Sequence, residues 1–328
     1  VKAIPLDTWL AVMDRQYLSA DGFVRNGGSA VKFVISSHNN LRQALVDSLS
    51  ELGRQHDFVP ILFRADERRL DRPPDLFYTM AEHLDWRTMA RRLILDLARE
   101  QHLQVDGITP DGQANIYVAL AKANKTDPFT LPGDILPALE QRTLHDPRML
   151  RDFGWAVRHL CMCEARADEQ FYGGSALLDW LKGQERRLAS VRHFHVHTSV
   201  NTLTARRYMG SLCRFVRQSG QAGTILILDI RRLTRAVRPG DDSEYYTKNK
   251  VLACYEVLRD LVDNIDSLGH TLVVVVARPE FTDGSITSQE RGHHIYPALS
   301  SRIENEVVGD DWICPENTLI HLEQGVEA

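Results

Sequence analysis

The sequence predicts an α/β fold: a parallel sheet covered by helices and interrupted by a helical insertion. Three observations carry this. The candidate strands TILILDI (Thr224–Ile230) and TLVVVVA (Thr271–Ala277) are continuously apolar rather than alternating, as strands buried on both faces are. The strands are separated by stretches of helical apolar spacing instead of hairpin turns. Between Pro74 and about Gly183 strand signals nearly vanish while helical patterns persist, over a length of roughly a hundred residues, which is domain-sized.

Taken in order, the turn-forming Asn26-Gly27-Gly28-Ser29 leads into an apolar run, Val31 to Ser36 (VKFVIS), read as a buried strand. The polar loop Ser37-His38-Asn39-Asn40 follows. Leu41, Leu45, Leu49 and Leu52 then recur at helical spacing, with Gly53 as a stop. Phe58 to Arg64 (FVPILFR) is a second strand, weakened at its centre by Pro60. The insertion carries helical patterns at Leu76–Leu103, Ala114–Lys122, Ile135–Arg142, Met149–Cys163 and Ala176–Leu181. The α/β pattern resumes near His193, with a helix at Thr202–Gln218, the strand TILILDI, a charged loop rich in Arg, Pro and Gly, a long helix at Tyr245–Leu268, the strand TLVVVVA and a last strand at Thr318–Leu322. This makes five strands and three segments: residues 1–73 as the first part of the core, 74–190 as the insertion, and 191–328 as the second part of the core.

Composition narrows the class. With 328 residues, 43% hydrophobic and 25% charged, the chain is neither disordered nor collagenous. A formal charge of −5 gives no global positive field to hold nucleic acid. No run approaches the roughly 18 apolar residues of a membrane span, and the opening VKAIPLDTWLAVMD bears charges where a signal peptide is apolar. A soluble cytoplasmic protein with no membrane partner is expected. Five cysteines without a CxxC fit neither a disulfide framework nor a zinc finger, so reduced, mostly buried thiols are expected.

A strand ending in a polar loop that opens a helix is where a P-loop stands, and TILILDI has the form of a Walker B strand ending in Asp229. In a working site the backbone of GxxxxGK[ST] cradles phosphates, the Lys neutralises them, and the hydroxyl and the Walker B acid hold magnesium. Laid on that pattern, the first Gly falls at Ser36, the second at Leu41, the Lys at Arg42 and the Ser/Thr at Gln43. All four depart from it. Leu41 has a Cβ where close wrapping needs Gly, Gln43 is a poor magnesium ligand, and Arg42 is longer and forked. Ile230 stands where the water-activating Glu usually follows the acid.

In these segments the chain resembles the P-loop ATPases of BREX-type phage-exclusion systems, a branch of the AAA+-like ASCE class. The resemblance rests on Gly27 to Val34, on Gly223 to Asp229, on Tyr255 to Asn264, and on Ala277-Arg278-Pro279-Glu280-Phe281 leading to Tyr296 through Arg302. It implies a five-stranded parallel core with the Walker A and B strands adjacent, ATP between subunits and a helical lid after the last strand. The chain stops at Ala328, about where that lid would begin, so no lid is expected. The resemblance also implies sensor- or finger-like positions for Arg278 and Arg302. For Arg302 a plain surface helix arginine is the equal alternative.

The expected degenerate nucleotide site is therefore Ser36, Ser37, Asn39, Asn40, Arg42, Gln43 and Asp229, with no catalytic residue and no resident metal. Arg231, Arg232, Arg235 and Arg238 follow the Walker B-like strand as candidate phosphate or DNA contacts, against a solvated loop balanced by Asp241, Asp242 and Glu244. His193, His195 and His197 would share one face of a strand and could there ligate a metal, with an exposed edge or turn the plainer reading. His293 and His294 are expected in an exposed polar loop. The function expected is a pseudo-ATPase that scaffolds or binds partner subunits of a prokaryotic defence assembly, with no cofactor. The alternatives are an ATPase with an unorthodox phosphate loop that uses ATP and magnesium, and a DNA-binding component of the same assembly.

Overall fold

The computed structural model of the protein describes residues 3–36, 38–112, 115–164, 172–241, 243–282, 291–304 and 314–323. Its strands are β1 (Ile4–Pro5), β2 (Ser29–Ser36), β3 (Phe58–Arg64), β4 (Gly223–Asp229), β5 (Thr271–Ala277) and β6 (Leu319–Glu323). All pairings are parallel, in the order β1-β6-β2-β5-β4-β3. The helices are α1 (Leu6–Val12), α2 (Asn39–Gln55), α3 (Pro73–Glu82), α4 (Trp86–Glu100), α5 (Ile116–Asn124), α6 (Leu131–Thr143), α7 (Arg151–Cys163), α8 (Tyr172–Leu181), α9 (Ala205–Gln218), α10 (Lys248–Asp263) and α11 (Pro297–Ile303).

Two expectations about the sheet are corrected. Among the described residues six strands stand where five are predicted, because β1 is two residues long and too short to show any periodicity. It pairs Ile4 with Leu322 and Pro5 with Glu323 at the sheet edge, where a proline lacking its N–H is tolerated. The Walker A-like strand β2 and the Walker B-like strand β4 are not adjacent either. Strand β5 lies between them, Val273 being in register with both Val31 and Leu226. At about 4.8 Å per strand step, β2 and β4 are held roughly 10 Å apart.

The chain forms two compact units, residues 1–76 with 222–328, and residues 77–221. In the first unit the sheet is buried on both faces, which is why its central strands read as apolar runs. On one face Val34, Ile225, Ile227, Leu272, Val274, Val276 and Ile320 pack with Trp9 of α1 and with Leu41, Leu45 and Leu49 of α2. On the other, Phe33 stacks on Phe281 at 5.9 Å, and Phe281 meets the edge of Tyr255 from α10 at 5.7 Å. Each such side chain contributes about 1.5–3 kcal/mol on full burial. Helix α2 runs past the expected stop at Gly53 to Gln55, and Gly53 serves packing instead: a Cβ there would lie 2.6 Å from Ile225 Cδ1. Gly223, at φ +154°, starts β4 where a Cβ would lie 2.1 Å from the His270 carbonyl oxygen, so only glycine lets the strands meet.

The second unit is helical, with an aromatic centre in which Trp86 stacks on Phe215 at 5.5 Å and Tyr208 meets Trp180 at 5.8 Å. The predicted helix Leu76–Leu103 is broken in two, because Asp85 caps the second half by accepting from the Thr88 N–H at 3.1 Å. Residues 193–197 do not form the strand that would align three histidines. They are a 3₁₀ turn and irregular chain, with His195 at φ +62°, and all three histidines are exposed. Among the described residues no group of three or more His, Cys, Asp or Glu is placed to hold a metal ion. The cysteines are thiols outside any disulfide among the described residues, and Cys161, Cys213 and Cys254 are buried.

Candidate functional site: an arginine-lined cleft

Because every strand runs the same way, the carboxyl ends of β2, β3, β4 and β5 share one edge of the sheet. Such an edge is where open α/β sheets take ligands. A cleft of about 410 Å³ opens there, within the first unit. The loop and helix after β2 contribute Asn39, Asn40 and Gln43, the segment after β3 contributes Asp66, the end of β4 and its loop contribute Asp229, Arg231, Arg232 and Arg235, and the end of β5 contributes Arg278. Most residues predicted for the site from sequence are thus brought together. Ser37 lies outside the described residues.

The phosphate-loop position is closed on itself. Ser36 is 2% exposed, and Arg42 is equally buried. The Arg42 guanidinium donates through Nη1 to the Ser36 carbonyl oxygen and through Nη2 to Asn39 Oδ1, while its buried Nε has no hydrogen-bond partner among the described residues. Burial lowers its pKa below the ordinary arginine value. The positive charges of Arg231 and Arg278 push the same way, and Asp229 and Glu280 oppose them. Gln43 turns along the helix, its Nε2 donating to Asp47 Oδ1 at 2.9 Å.

The Walker B-like acid is clamped. Asp229 is 5% exposed. Its Oδ1 accepts from Arg231 Nε at 2.7 Å and from the Arg231 backbone N–H at 3.1 Å, and its Oδ2 accepts from Arg231 Nε at 2.8 Å and from Nη2. The hydrogen bonds to Asp229 raise the Arg231 pKa. Arg278 closes a similar pair with Glu280, at 3.0 Å from Nη2 to Oε1. Burial pushes the Glu280 carboxyl up, but the Arg278 hydrogen bonds, a backbone hydrogen bond and the charges of Arg278 and Arg42 together leave the group below its usual range.

The remaining arginines divide. Arg232 is tethered to its own loop, donating to the carbonyl oxygens of Glu244 at 2.9 Å and Val237 at 3.0 Å. The exposed Arg235 side chain has no hydrogen-bond or ion-pair partner among the described residues. Arg238 lies outside the cleft lining, 5.3 Å from the centre of the Tyr245 ring. Arg302 is also not part of the cleft: on α11, it donates through Nε to Asp263 of α10 and through Nη1 to the Ala298 carbonyl oxygen at 2.6 Å.

The sequence of the chain matches, over residues 137–324, the family described as BREX system ATP-binding protein BrxC/D. That is more than half of the chain. The chain belongs to this family. The matched region contains β4, the arginine loop, β5 and Arg302, whereas β2 and the loop of Arg42 precede it. Membership in the BrxC/D family makes the chain a component of a BREX phage-defence system. Neither a curated protein nor a solved structure matches it. Among the described residues no helix is long and apolar enough to cross a membrane.

Two residues of the site escape the sequence reading. Asp66 lines the cleft two positions beyond the end of β3, and its negative charge helps to raise the Arg231 pKa. An acid just past a strand's carboxyl end was the available signal. Arg291, 5% exposed, donates through Nη1 to the carbonyl oxygens of Tyr246 at 2.8 Å, Arg235 at 3.1 Å and Leu233 at 3.5 Å, and so holds the arginine loop from behind. The adjoining His293, expected to be exposed, is 5% exposed, with Nδ1 2.9 Å from Ser300 Oγ. Burial lowers its pKa.

Proposed function

We propose that this BrxC/D-family chain is a non-hydrolysing subunit of a BREX assembly, a pseudo-ATPase whose cleft binds phosphate groups on arginines and whose surfaces serve partner subunits. One observation carries the reading: both carboxylate oxygens of Asp229 accept hydrogen bonds from Arg231. The acid that would organise hydrolysis is neutralised by the residue two positions after it. Ile230 supplies no base, and the Arg42 charge is folded back onto its own loop.

The residues present do not fit a magnesium ion of the kind an ATP site of this class holds. Magnesium demands near-octahedral oxygen ligands at about 2.0–2.1 Å. Asp229 faces a guanidinium on both oxygens, and Gln43 stands where a hydroxyl is needed, with its amide committed to Asp47. Arginines suit phosphate oxygens directly, as planar donors that stay charged. The DNA reading has less support, because the Arg231–Arg238 stretch is not a continuous exposed stripe: Arg231 is paired, Arg232 tethered and Arg238 laid on an aromatic ring.

The test is ATP turnover by the purified protein with magnesium. The expected result is no phosphate release above background and no change in Asp229→Ala. Turnover that disappears in Asp229→Ala would overturn the proposal and make the ATPase reading correct, with Asp66→Asn the next variant to measure.

A further inference from the structure

We infer that the cleft takes a polyphosphate as the free anion, and that magnesium weakens its binding instead of supporting it. This rests on the phosphate-cleft reading above and goes further by fixing the ionic form of the ligand. The lining carries four arginines, Arg231, Arg232, Arg235 and Arg278, against the two acids Asp66 and Asp229, with Glu280 as a third acid paired to Arg278. A surplus of positive charge at the mouth has the buried Arg42 behind it, close enough to Arg231 and Arg278 for their charges to lower its pKa.

A metal ion entering with the ligand would meet guanidinium groups where an ATPase offers oxygens. To reach Asp229 it would have to displace Arg231, leaving an arginine without its carboxylate and a second cation beside it. An uncomplexed triphosphate avoids both penalties. It brings the full negative charge to Arg235, whose side chain has no other partner among the described residues, and to Arg231 and Arg278, whose pairs with Asp229 and Glu280 use Nε and Nη2 and not Nη1. Magnesium chelation removes two of the ligand's charges before it arrives and weakens every charge-assisted hydrogen bond it would make. The metal dependence of binding is therefore opposite in sign to that of a P-loop ATPase.

Calorimetric titration of the full chain with ATP, and separately with inorganic triphosphate, in EDTA and in excess magnesium at matched ionic strength, tests this. The expected result is saturable binding in EDTA that weakens about tenfold in excess magnesium, the equivalent of one lost charge-assisted contact. Equal affinity for the two ligands identifies a site that reads phosphates alone, and preference for ATP identifies a nucleotide site; both support the inference when EDTA gives the tighter binding. Binding that requires magnesium, or tightens with it, overturns the inference and leaves the phosphate-cleft reading standing. Absence of binding in either buffer overturns both, as does capture of a duplex DNA probe without any triphosphate binding.

Arg231→Gln supplies an independent arm, because it frees Asp229. Titrated with manganese alone, the wild-type chain is expected to be silent and Arg231→Gln to bind the metal, with circular dichroism verifying the fold of the variant. Manganese binding by the wild-type chain that is lost in Asp229→Asn would overturn the inference.

Discussion

Replacing Arg291 with Met should loosen the arginine loop without unfolding the sheet. The Nη1 group donates to Tyr246 at 2.8 Å and Arg235 at 3.1 Å, and the 3.5 Å approach to Leu233 is too long to count fully. Hydrogen bonds from a charged donor contribute about 1.5–3 kcal/mol each. Part of that is returned when the buried guanidinium, with its desolvation penalty, is removed. A net loss of about 2–4 kcal/mol in the free energy of opening the loop follows, and 2 kcal/mol is already a factor of about 30 in the open population. Hydrogen exchange reads this directly. The amides of Leu233, Arg235 and Glu244, bonded to the carbonyl oxygens of Ile230, Arg232 and Asp66, should exchange at least about 30-fold faster in Arg291→Met, while those of β5 keep their protection. Arg291→Lys, with one shorter charged donor, should fall between. Unchanged exchange over 231–246 in Arg291→Met would refute the idea that this arginine holds the loop.

Other variants probe the scaffold around the site. Lys32 is buried, with Nζ 4.9 Å from the Tyr17 ring centre, and burial pushes its ammonium down to about 8 against the opposing effects of Glu316 and Cys314. Since the folded value lies below the unfolded 10.5, the unfolded chain holds more protons between the two, and the contribution of this position to stability rises with pH across that window. The stability of wild type minus that of Lys32→Met, from urea unfolding, should therefore grow between pH 8 and 10.5 by up to about 3 kcal/mol; a flat difference would count against it. In the helical unit, a Cβ on Gly154 would lie 2.2 Å from the Thr143 carbonyl oxygen, so Gly154→Ala should force α6 and α7 apart and destabilise that unit by about 1–3 kcal/mol in thermal unfolding. A variant as stable as wild type would show that the two helices separate without penalty.

Much of the sheet was legible because burial on both faces writes itself into sequence as unbroken apolar runs: Thr271–Ala277 is predicted and observed with the same ends. Strand order was not legible, since nothing in the apolar runs of β2, β4 or β5 says which lies beside which, and β5 entered between the other two. The gathering of Asn39, Asn40, Gln43 and Asp229 followed from a polar loop and an acid each standing at the end of a strand. What the arginines do there did not follow. Whether Arg231 faces the cleft or folds back on Asp229, and whether Arg42 extends or turns onto Ser36, depends on side-chain geometry that residue spacing does not encode. The histidines occupy the exposed turn that was their plainer expectation, because alternation reports a shared face only in extended chain, and His195 sits in a left-handed turn.

The pairing scheme of the sheet also bears on how the chain is made. Strand β2 pairs with β5 and β6, and β3 pairs with β4, so the two strands synthesised early have no partner in each other. Between Arg64 and Gly223 lie 158 residues, which at about 5–20 residues per second take about 8–32 seconds to translate. For most of that interval Phe33, Val34, Ile35, Ile61 and Phe63 are outside the ribosome with no neighbouring strand to cover their backbone. The helical unit can close on itself while they wait. A nascent chain stalled before β4 should therefore be a substrate for chaperones that bind extended apolar segments, and one stalled after β5 should not.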